Sequence, residues 1–219
     1  MRYILIPVKD LSFAKMRLSP LLTQEERMRL VLAMIEMTFA ASTKVQTIDR
    51  IAVVTNYLPA MALAGKYRME VIEESSQTSE SASIDYGSLE VKKRGATAVL
   101  RLPIDLPLMT ASDIETVLNC DKGTRSVVIV PSRDGTGTNA ILRRPPDLIP
   151  SHFGPGSLAK HLAEIERVKS ACTLLTLPRI ALDIDRPDDL VVLIKEGVGS
   201  PLSDLLAELN ILDRMGIKA

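Results

Sequence analysis

The stretch A-T-A-V-L-R-L-P-I-D-L-P-L, residues 96–108, joins an apolar run to an aspartate that stands between two prolines. Residues 96–102 form a short apolar segment of the kind that predicts a buried strand. Pro103 and Pro107 favour the end of that strand, because proline has no backbone N–H to donate to a neighbouring strand. We therefore expect Asp105 in a loop at the carboxyl end of a strand.

Strands and helices are predicted to alternate along the rest of the chain. Strands are expected at 3–8, 50–55, 69–73, 96–102, 126–130, 139–143, 172–177 and 180–184, and helices at 23–41, 58–66, 81–94, 113–118, 157–168, 187–195 and 201–215. The first helix begins at a T-x-x-E capping box, Thr23 to Glu26. This alternation predicts an α/β fold: a single Rossmann-like domain over residues 1–219, with a mostly parallel sheet covered on both faces. Ligands of such sheets bind beyond the carboxyl ends of the strands.

Composition limits the class of protein. Lys and Arg together number 27, as do Asp and Glu, so no overall field attracts nucleic acid or an anionic membrane. Cys120 and Cys172 show no metal-ligand spacing. No apolar run approaches the roughly 20 residues that cross a bilayer. We therefore expect a soluble, cytoplasmic protein that binds neither nucleic acid nor a membrane.

A second acidic segment, L-D-I-D-R-P-D-D at residues 182–189, lies at the end of the predicted strand 180–184. Asp183 and Asp185 flank one residue, so on a strand their carboxylates face the same side. Like charges repel unless a cation lies between them, which favours a metal site. For Asp105 a turn-forming role fits equally well. The two later aspartates are assigned to the start of the following helix.

The loop K-D-L-S-F-A-K-M-R-L, residues 9–18, places Lys9, Lys15 and Arg17 directly after the first strand. Cations in such a loop suit a triphosphate, although solvated surface charges explain them as well. The P-loop pattern is absent from the sequence, which argues against an ATPase of that class. With the acidic segments, this loop predicts a metal-dependent enzyme that handles nucleotides.

Two glycine-containing segments could bind an anion. D-G-T-G-T-N, residues 134–139, can present backbone N–H groups, but an ordinary hairpin turn fits nearly as well. F-G-P-G-S, residues 153–157, leads into a predicted helix N-terminus, where phosphate or carboxylate is favoured. His152 and His161 flank this segment and are assigned no proton transfer. The apolar side of the final helix predicts core packing, with a homodimer contact as the alternative.

Taken in this order and spacing, the segments resemble the 2-phospho-L-lactate guanylyltransferase family of deazaflavin coenzyme F-420 biosynthesis. The resemblance covers nearly the whole chain and rests on P-V-K, A-K-M-R-L, L-P-I-D-L-P-L, G-T-N, F-G-P-G-S with His161, and L-D-I-D-R-P-D-D-L. It implies a fold like the nucleotide-diphospho-sugar transferases. The implied reaction joins GTP and 2-phospho-L-lactate to lactyl-2-diphospho-5'-guanosine and pyrophosphate. Phosphoenolpyruvate, 3-phosphoglycerate or a nucleotide-sugar are the alternative substrates.

The resemblance also implies roles for individual residues. The implied Mg²⁺ ligands are Asp105, Asp183 and Asp185; the implied catalytic residues are Lys15, Arg17 and Asp105; and the implied substrate-binding residues are Lys9, Thr138, Asn139, Gly154 and Ser157. Many relatives carry Gly-Leu-Asn near the expected base pocket, where this chain has Ser81-Ala82-Ser83. The base contacts therefore stay open at this point.

Overall fold

Seven strands form one sheet in residues 1–217, which are the residues that the computed structural model describes. They are β1 Arg2–Pro7, β2 Arg50–Thr55, β3 Glu70–Glu73, β4 Ala98–Arg101, β5 Ser126–Pro131, β6 Thr138–Arg144 and β7 Ala171–Leu174. The order is β3-β2-β1-β4-β6-β5-β7. Only β6 runs antiparallel to its neighbours β4 and β5 among the described strands. The predicted α/β fold with a mostly parallel sheet is confirmed.

Helices pack on both faces of this sheet. They are α1 Gln24–Thr43, α2 Leu58–Lys66, α3 Glu80–Lys93, α4 Ala111–Asn119, α5 Ser157–Arg167, α6 Pro178–Ala181, α7 Pro187–Glu196, α8 Pro201–Glu208 and α9 Ile211–Arg214. Side chains of β1 alternate between two cores: Ile6 packs in the core that contains Phe39 of α1, and Leu5 in the core that contains Ile84 of α3. None of the helices within residues 1–217 has the length and apolarity of a membrane span.

The predicted capping box at the start of α1 is confirmed. The hydroxyl of Thr23 accepts the N–H of Glu26 at 3.3 Å, and the carboxylate of Glu26 accepts the N–H of Thr23 at 2.8 Å. The same carboxylate pairs with Arg214 of α9 at 2.8 Å. The start of α1 is thereby joined to α9.

Two predicted elements differ from the structure. The strand expected at 180–184 is wrong, because residues 178–181 form α6 and an extended segment outside the sheet follows. The single helix expected at 201–215 is divided, because Asn210 adopts a left-handed conformation with φ 51° between α8 and α9. Leu202 and Leu206 of α8 are fully buried, which confirms the core-packing interpretation. The homodimer stays a prediction.

Candidate functional site

An open cleft of about 690 Å³ lies beyond the carboxyl ends of β4 and β5. It is bounded by the segment after β4, the β5–β6 hairpin, the loop before α5 and the extended segment before α7. Its lining includes Arg17, Asp105, Thr138, Asn139, Gly154, Ser157, Asp183 and Asp185. The structure therefore brings together predicted residues that are as many as 168 positions apart in the chain.

The carboxylates of Asp105, Asp183 and Asp185 converge at one edge of this cleft, with ligand oxygens all within 4.8 Å of one another. The backbone N–H of Ile184 donates to the carbonyl of Asp105 at 3.1 Å, which joins the two acidic segments. Ile184 itself is fully buried, so the aspartates on either side of it turn toward the cleft. The predicted same-side arrangement is present, although the segment is extended loop and not a strand of the sheet.

Lys15 lies among these carboxylates. Its Nζ is 2.5 Å from Asp105 and 2.8 Å from Asp185, and Arg17 reaches Asp185 at 3.0 Å. Burial disfavours the charge on Lys15, but the two carboxylates outweigh burial and raise its pKa above the ordinary value. Lys15 is therefore an ammonium, held with a left-handed backbone (φ 51°) just before a turn of 3₁₀-helix, Met16–Leu18.

The charges of this cluster do not cancel. Three carboxylates against Lys15 and Arg17 leave one negative charge when all five groups are ionised. Burial, followed by the nearby charge of Asp105, raises the pKa of Asp183, which receives a hydrogen bond only from Asn139 among the described residues. For Asp185 burial acts in the same direction, but Lys15 outweighs it and lowers the pKa. A hard oxygen cluster with excess negative charge fits a divalent cation.

Asn139, at the start of β6, holds the Asp183 segment in place. Its side-chain amide donates to the carbonyls of Ile180 and Ala181 at 2.9 and 3.0 Å and to Asp183 at 3.0 Å. The amide hydrogens are therefore used within the protein, and the contact of Asn139 with the cleft is a positioning one. These bonds also end α6 and explain why the strand expected at 180–184 does not form.

The neighbouring Thr138 contacts a fully buried histidine, His161 of α5. The backbone N–H of His152 donates to His161 Nε2 at 2.9 Å, so Nε2 carries no proton. Nδ1 must then carry the proton of the neutral ring and donates to the Thr138 hydroxyl oxygen at 3.0 Å. The hydroxyl hydrogen of Thr138 is left free to donate to a ligand in the cleft. Sequence reasoning missed this role, although His161 lies four residues after Ser157, on the same face of α5.

The loop before α5 completes this side of the cleft. Gly154 and Gly156 have φ values of 108° and 68°, a region that favours glycine. Gly156 occupies the capping position, and Ser157 is the first helical residue and is buried. Ser157, Gly154 and Thr138 line the cleft together, and their implied role in substrate binding stays a prediction.

Lys9 and Lys15 are the predicted residues that do not line the cleft, although Lys15 is ion-paired with Asp105 and Asp185 at its edge. Lys9 forms neither a hydrogen bond nor an ion pair in the described part of the chain, and its role stays a prediction. Of the residues near the expected base pocket, Ser81 accepts the N–H of Phe153 at 2.9 Å and Ser83 donates to Glu74 at 2.6 Å. Both serines therefore tie α3 to its neighbours.

Arg101 is a cleft residue that the sequence reasoning missed. It ends β4, is 5% exposed, and donates from Nη1 to the carbonyls of Thr138 and Asn139 at 3.3 and 3.0 Å. Nη2 pairs with Glu80 of α3, and the guanidinium lies 4.1 Å from the ring centroid of Phe153. A signal was present in the sequence, because a charged residue within the apolar β4 segment alternates in phase with Asp105.

Known proteins are similar to this chain over most of its length. A family model described as "Guanylyl transferase CofC like" matches residues 1–214. The chain is similar to a phosphoenolpyruvate guanylyltransferase of Conexibacter woesei, with 33% identity over 189 residues, 86% of this chain and 85% of that protein. It is also similar to a 3-phospho-D-glycerate guanylyltransferase of Colwellia psychrerythraea, with 30% identity over 190 residues, 87% of this chain and 90% of that protein.

Solved structures show the same fold at low identity. One is a putative nucleotide-diphospho-sugar transferase from Desulfovibrio desulfuricans G20, with a TM-score of 0.79 and 16% identity, covering 100% of this chain and 99% of that one. Another is a cytidylyltransferase from Leptospira borgpetersenii, with a TM-score of 0.62 and 14% identity, covering 98% and 94%. The implied nucleotide-diphospho-sugar transferase-like fold is confirmed.

Proposed function

Because the chain belongs to the CofC-like guanylyltransferase family, we propose that it transfers GMP from GTP to the phosphate of a phosphorylated three-carbon acid. The acid expected from the sequence is 2-phospho-L-lactate, and the acids named in the relatives are phosphoenolpyruvate and 3-phospho-D-glycerate. The observation that carries the proposal is one cleft in which two cations and three carboxylates adjoin a hydroxyl- and glycine-lined pocket.

Electrostatic repulsion is the main barrier to this reaction. GTP carries about −4 and a phosphorylated acid about −2 to −3, so the substrates repel each other. A chain of zero net charge offers no attracting overall field. Lys15 and Arg17 supply positive charge at the cleft, and both are fixed by ion pairs before any substrate binds. We assign them to the GTP phosphates.

The bond changes need no strong general base. A phosphate oxygen of the acid attacks the α-phosphorus of GTP, the new P–O bond forms, and the bond to the β-phosphate oxygen breaks to release pyrophosphate. The nucleophile is already an anion, so positioning and charge neutralisation account for catalysis. Asp105, Asp183 and Asp185 would hold Mg²⁺, which supplies further neutralisation of phosphate charge.

The acid is assigned to the opposite part of the cleft. Thr138 offers a hydroxyl hydrogen whose direction is fixed by His161, and Ser157 and Gly154 lie beside it. The N-terminus of α5 favours an anion there through its helix dipole, because the backbone N–H groups of Ser157 and Leu158 already donate to the carbonyls of Gly154 and Thr136 at 3.1 Å. A glycosyltransferase of the same fold would instead take a nucleotide-sugar and release a nucleoside diphosphate.

Pyrophosphate release tests the proposal. The protein is mixed with Mg²⁺ and GTP, ATP, CTP or UTP, each with and without 2-phospho-L-lactate, phosphoenolpyruvate or 3-phospho-D-glycerate. We expect release that requires GTP, one of the acids and the metal together. Release of nucleoside diphosphate from a nucleotide-sugar would instead indicate a glycosyltransferase, and GTP binding without turnover would indicate a binding protein.

A further inference from the structure

A second ion pair faces the cleft, separate from the Lys15 cluster. Arg101 at the end of β4 and Glu80 at the start of α3 pair with each other, and both line the cleft. The side chain of Arg101 is 6% exposed and that of Glu80 is 34% exposed. Arg101 is therefore buried behind Glu80 in the wall of the cleft, and Glu80 is the member of the pair that a ligand can contact.

The charge of Arg101 is already committed within the protein. Nη1 donates to two backbone carbonyls, Nη2 pairs with Glu80, and the guanidinium plane lies against Phe153. Separating Glu80 from this group would leave a buried charge without its counter-ion, which is strongly unfavourable. The pair therefore stays together when a ligand binds, and Arg101 does not act as a free clamp for an anion.

The pair offers a ligand one kind of contact: the Glu80 carboxylate can accept a hydrogen bond. An ionised carboxylate can only accept, and Glu80 receives just the one side-chain bond, from Arg101, among the described residues. A phosphate or carboxylate of the substrate cannot donate to it and is repelled. A hydroxyl group can donate to it, so the wall formed by Glu80 suits a ligand that carries a free hydroxyl.

Arg101 links Glu80 to the part of the cleft that is assigned to the acid, so the preference for a hydroxyl donor concerns the acid substrate. The guanidinium that holds Glu80 also donates to the carbonyl of Thr138, a residue that lines the cleft. We propose that Glu80, held by Arg101, selects a phosphorylated acid with a free hydroxyl group over acids that lack one. This inference rests on the proposed function and narrows its substrate class.

The candidate acids differ in whether they carry a free hydroxyl group. 3-Phosphoglycerate has a free hydroxyl at C2 and 2-phosphoglycerate has one at C3. Phosphoenolpyruvate and 2-phospho-L-lactate carry their phosphate on the only such oxygen. The proposal therefore predicts that the wild-type protein prefers a phosphoglycerate, and that the preference depends on the charge and hydrogen-bonding of the pair.

The test compares kcat/KM for the four acids, and KM for GTP, in three variants. Glu80→Ala removes the acceptor and frees the charge of Arg101. The double variant Glu80→Met with Arg101→Met replaces the pair by apolar side chains of similar length, so no buried charge is left unpaired. Glu90→Ala is the matched control, because Glu90 is also in α3 and ion-paired, to Lys93 at 2.6 Å, but does not line the cleft.

We expect Glu80→Ala to lower kcat/KM for the preferred phosphoglycerate by about 10- to 100-fold and to raise it for phosphoenolpyruvate. The double variant should treat the hydroxylated and unhydroxylated acids alike, and the control should match wild type. Unchanged selectivity in both cleft variants overturns the inference, as does wild-type kcat/KM for phosphoenolpyruvate or 2-phospho-L-lactate equal to or above that for the better of the two phosphoglycerates.

Two further outcomes separate the possible failures. A rise in KM for GTP with unchanged acid selectivity would assign Glu80 to the ribose hydroxyls and overturn the inference. Absence of pyrophosphate with GTP and every acid would defeat the proposed function itself. Thermal unfolding of each variant shows whether the fold is retained, and the double variant keeps the test decisive if Glu80→Ala is unstable.

Discussion

At the scale of single residues, His161 acts on the cleft without changing its own protonation. Its protonated Nδ1 fixes the direction of the Thr138 hydroxyl, as the bond from His152 to Nε2 requires. We expect Thr138→Val to raise KM for the acid about 10-fold, because one hydrogen bond to an anion is lost. KM for GTP should stay unchanged. Steady-state kinetics with each substrate varied in turn measures both.

A double-mutant cycle shows whether His161 works through Thr138. His161→Leu should raise KM for the acid as Thr138→Val does. The double variant should have a KM for the acid little higher than that of either single variant. His161→Gln should largely restore KM, since its carbonyl can accept from His152 and its amide can donate to Thr138. Additive effects, or failure of Gln to do better than Leu, would contradict a positioning role.

The same histidine makes stability depend on pH. Burial, then the charge of Arg143, lowers the pKa of His161 from 6.5 to about 4. The unfolded chain binds this proton first as pH falls, so the stabilisation is complete above about pH 6.5 and is lost progressively down to about pH 4. At pH 5 the lowered pKa of His161 decreases the free energy of unfolding by about 2 kcal/mol.

Urea unfolding at pH 7.5 and pH 5 measures this effect in wild type and in His161→Gln. Between pH 7.5 and pH 5, the free energy of unfolding should fall by about 2 kcal/mol more in the wild-type protein than in the variant. Equal losses would mean that His161 titrates normally in the folded protein.

The sequence predicted some site residues and not others, for physical reasons. Alternation about Ile184 was enough to place Asp183 and Asp185 on one side, because any extended backbone has this period. Arg101 and Glu80 are 21 residues apart and meet only through packing of α3 against the sheet. A contact of that kind depends on tertiary structure and has no local pattern in the sequence.

At the scale of elements, the start of α7 positions the acidic segment that we propose as a metal site. Asp189 accepts the backbone N–H groups of Asp185 and Arg186 at 3.1 and 2.8 Å. We expect Asp189→Ala to lower kcat about 10-fold and to raise the Mg²⁺ concentration needed for activity, because outer groups orient metal ligands. Asp188→Ala is the control, since the Asp188 side chain also lines the cleft but forms no hydrogen bond among residues 1–217. Equal activity of the two variants would contradict this role.

Element prediction succeeded where one local pattern dominates. β2 and α2 agree with their predicted bounds, because a buried apolar run and a proline-initiated helix are both local signals. The strand expected at 180–184 failed because side-chain bonds from Asn139, more than 40 residues away, hold Ile180 and Ala181 in another conformation. A distant partner outweighed the apolar pattern.

At the scale of the whole molecule, the sheet order brings the carboxyl ends of β1 and β4 beside each other and so unites the cation loop with Asp105. The resulting cluster has an excess negative charge. We expect Mg²⁺ at 100 times its Kd to stabilise the protein by about 2.7 kcal/mol. Asp183→Asn should remove this increment and leave the metal-free protein no less stable, because repulsion within the cluster decreases. Urea unfolding with and without metal measures both, and an unchanged increment would contradict the site.

The most direct test of the account is ³¹P NMR of the product formed from GTP, Mg²⁺ and each acid, with Asp105→Asn as the comparison. We predict two coupled resonances of an unsymmetrical diphosphate that links guanosine to the acid, together with one equivalent of pyrophosphate. Asp105→Asn should form the same product at least about 100-fold more slowly while keeping its fold. Unchanged GTP with every acid, or guanosine product without pyrophosphate, would contradict guanylyl transfer by this chain.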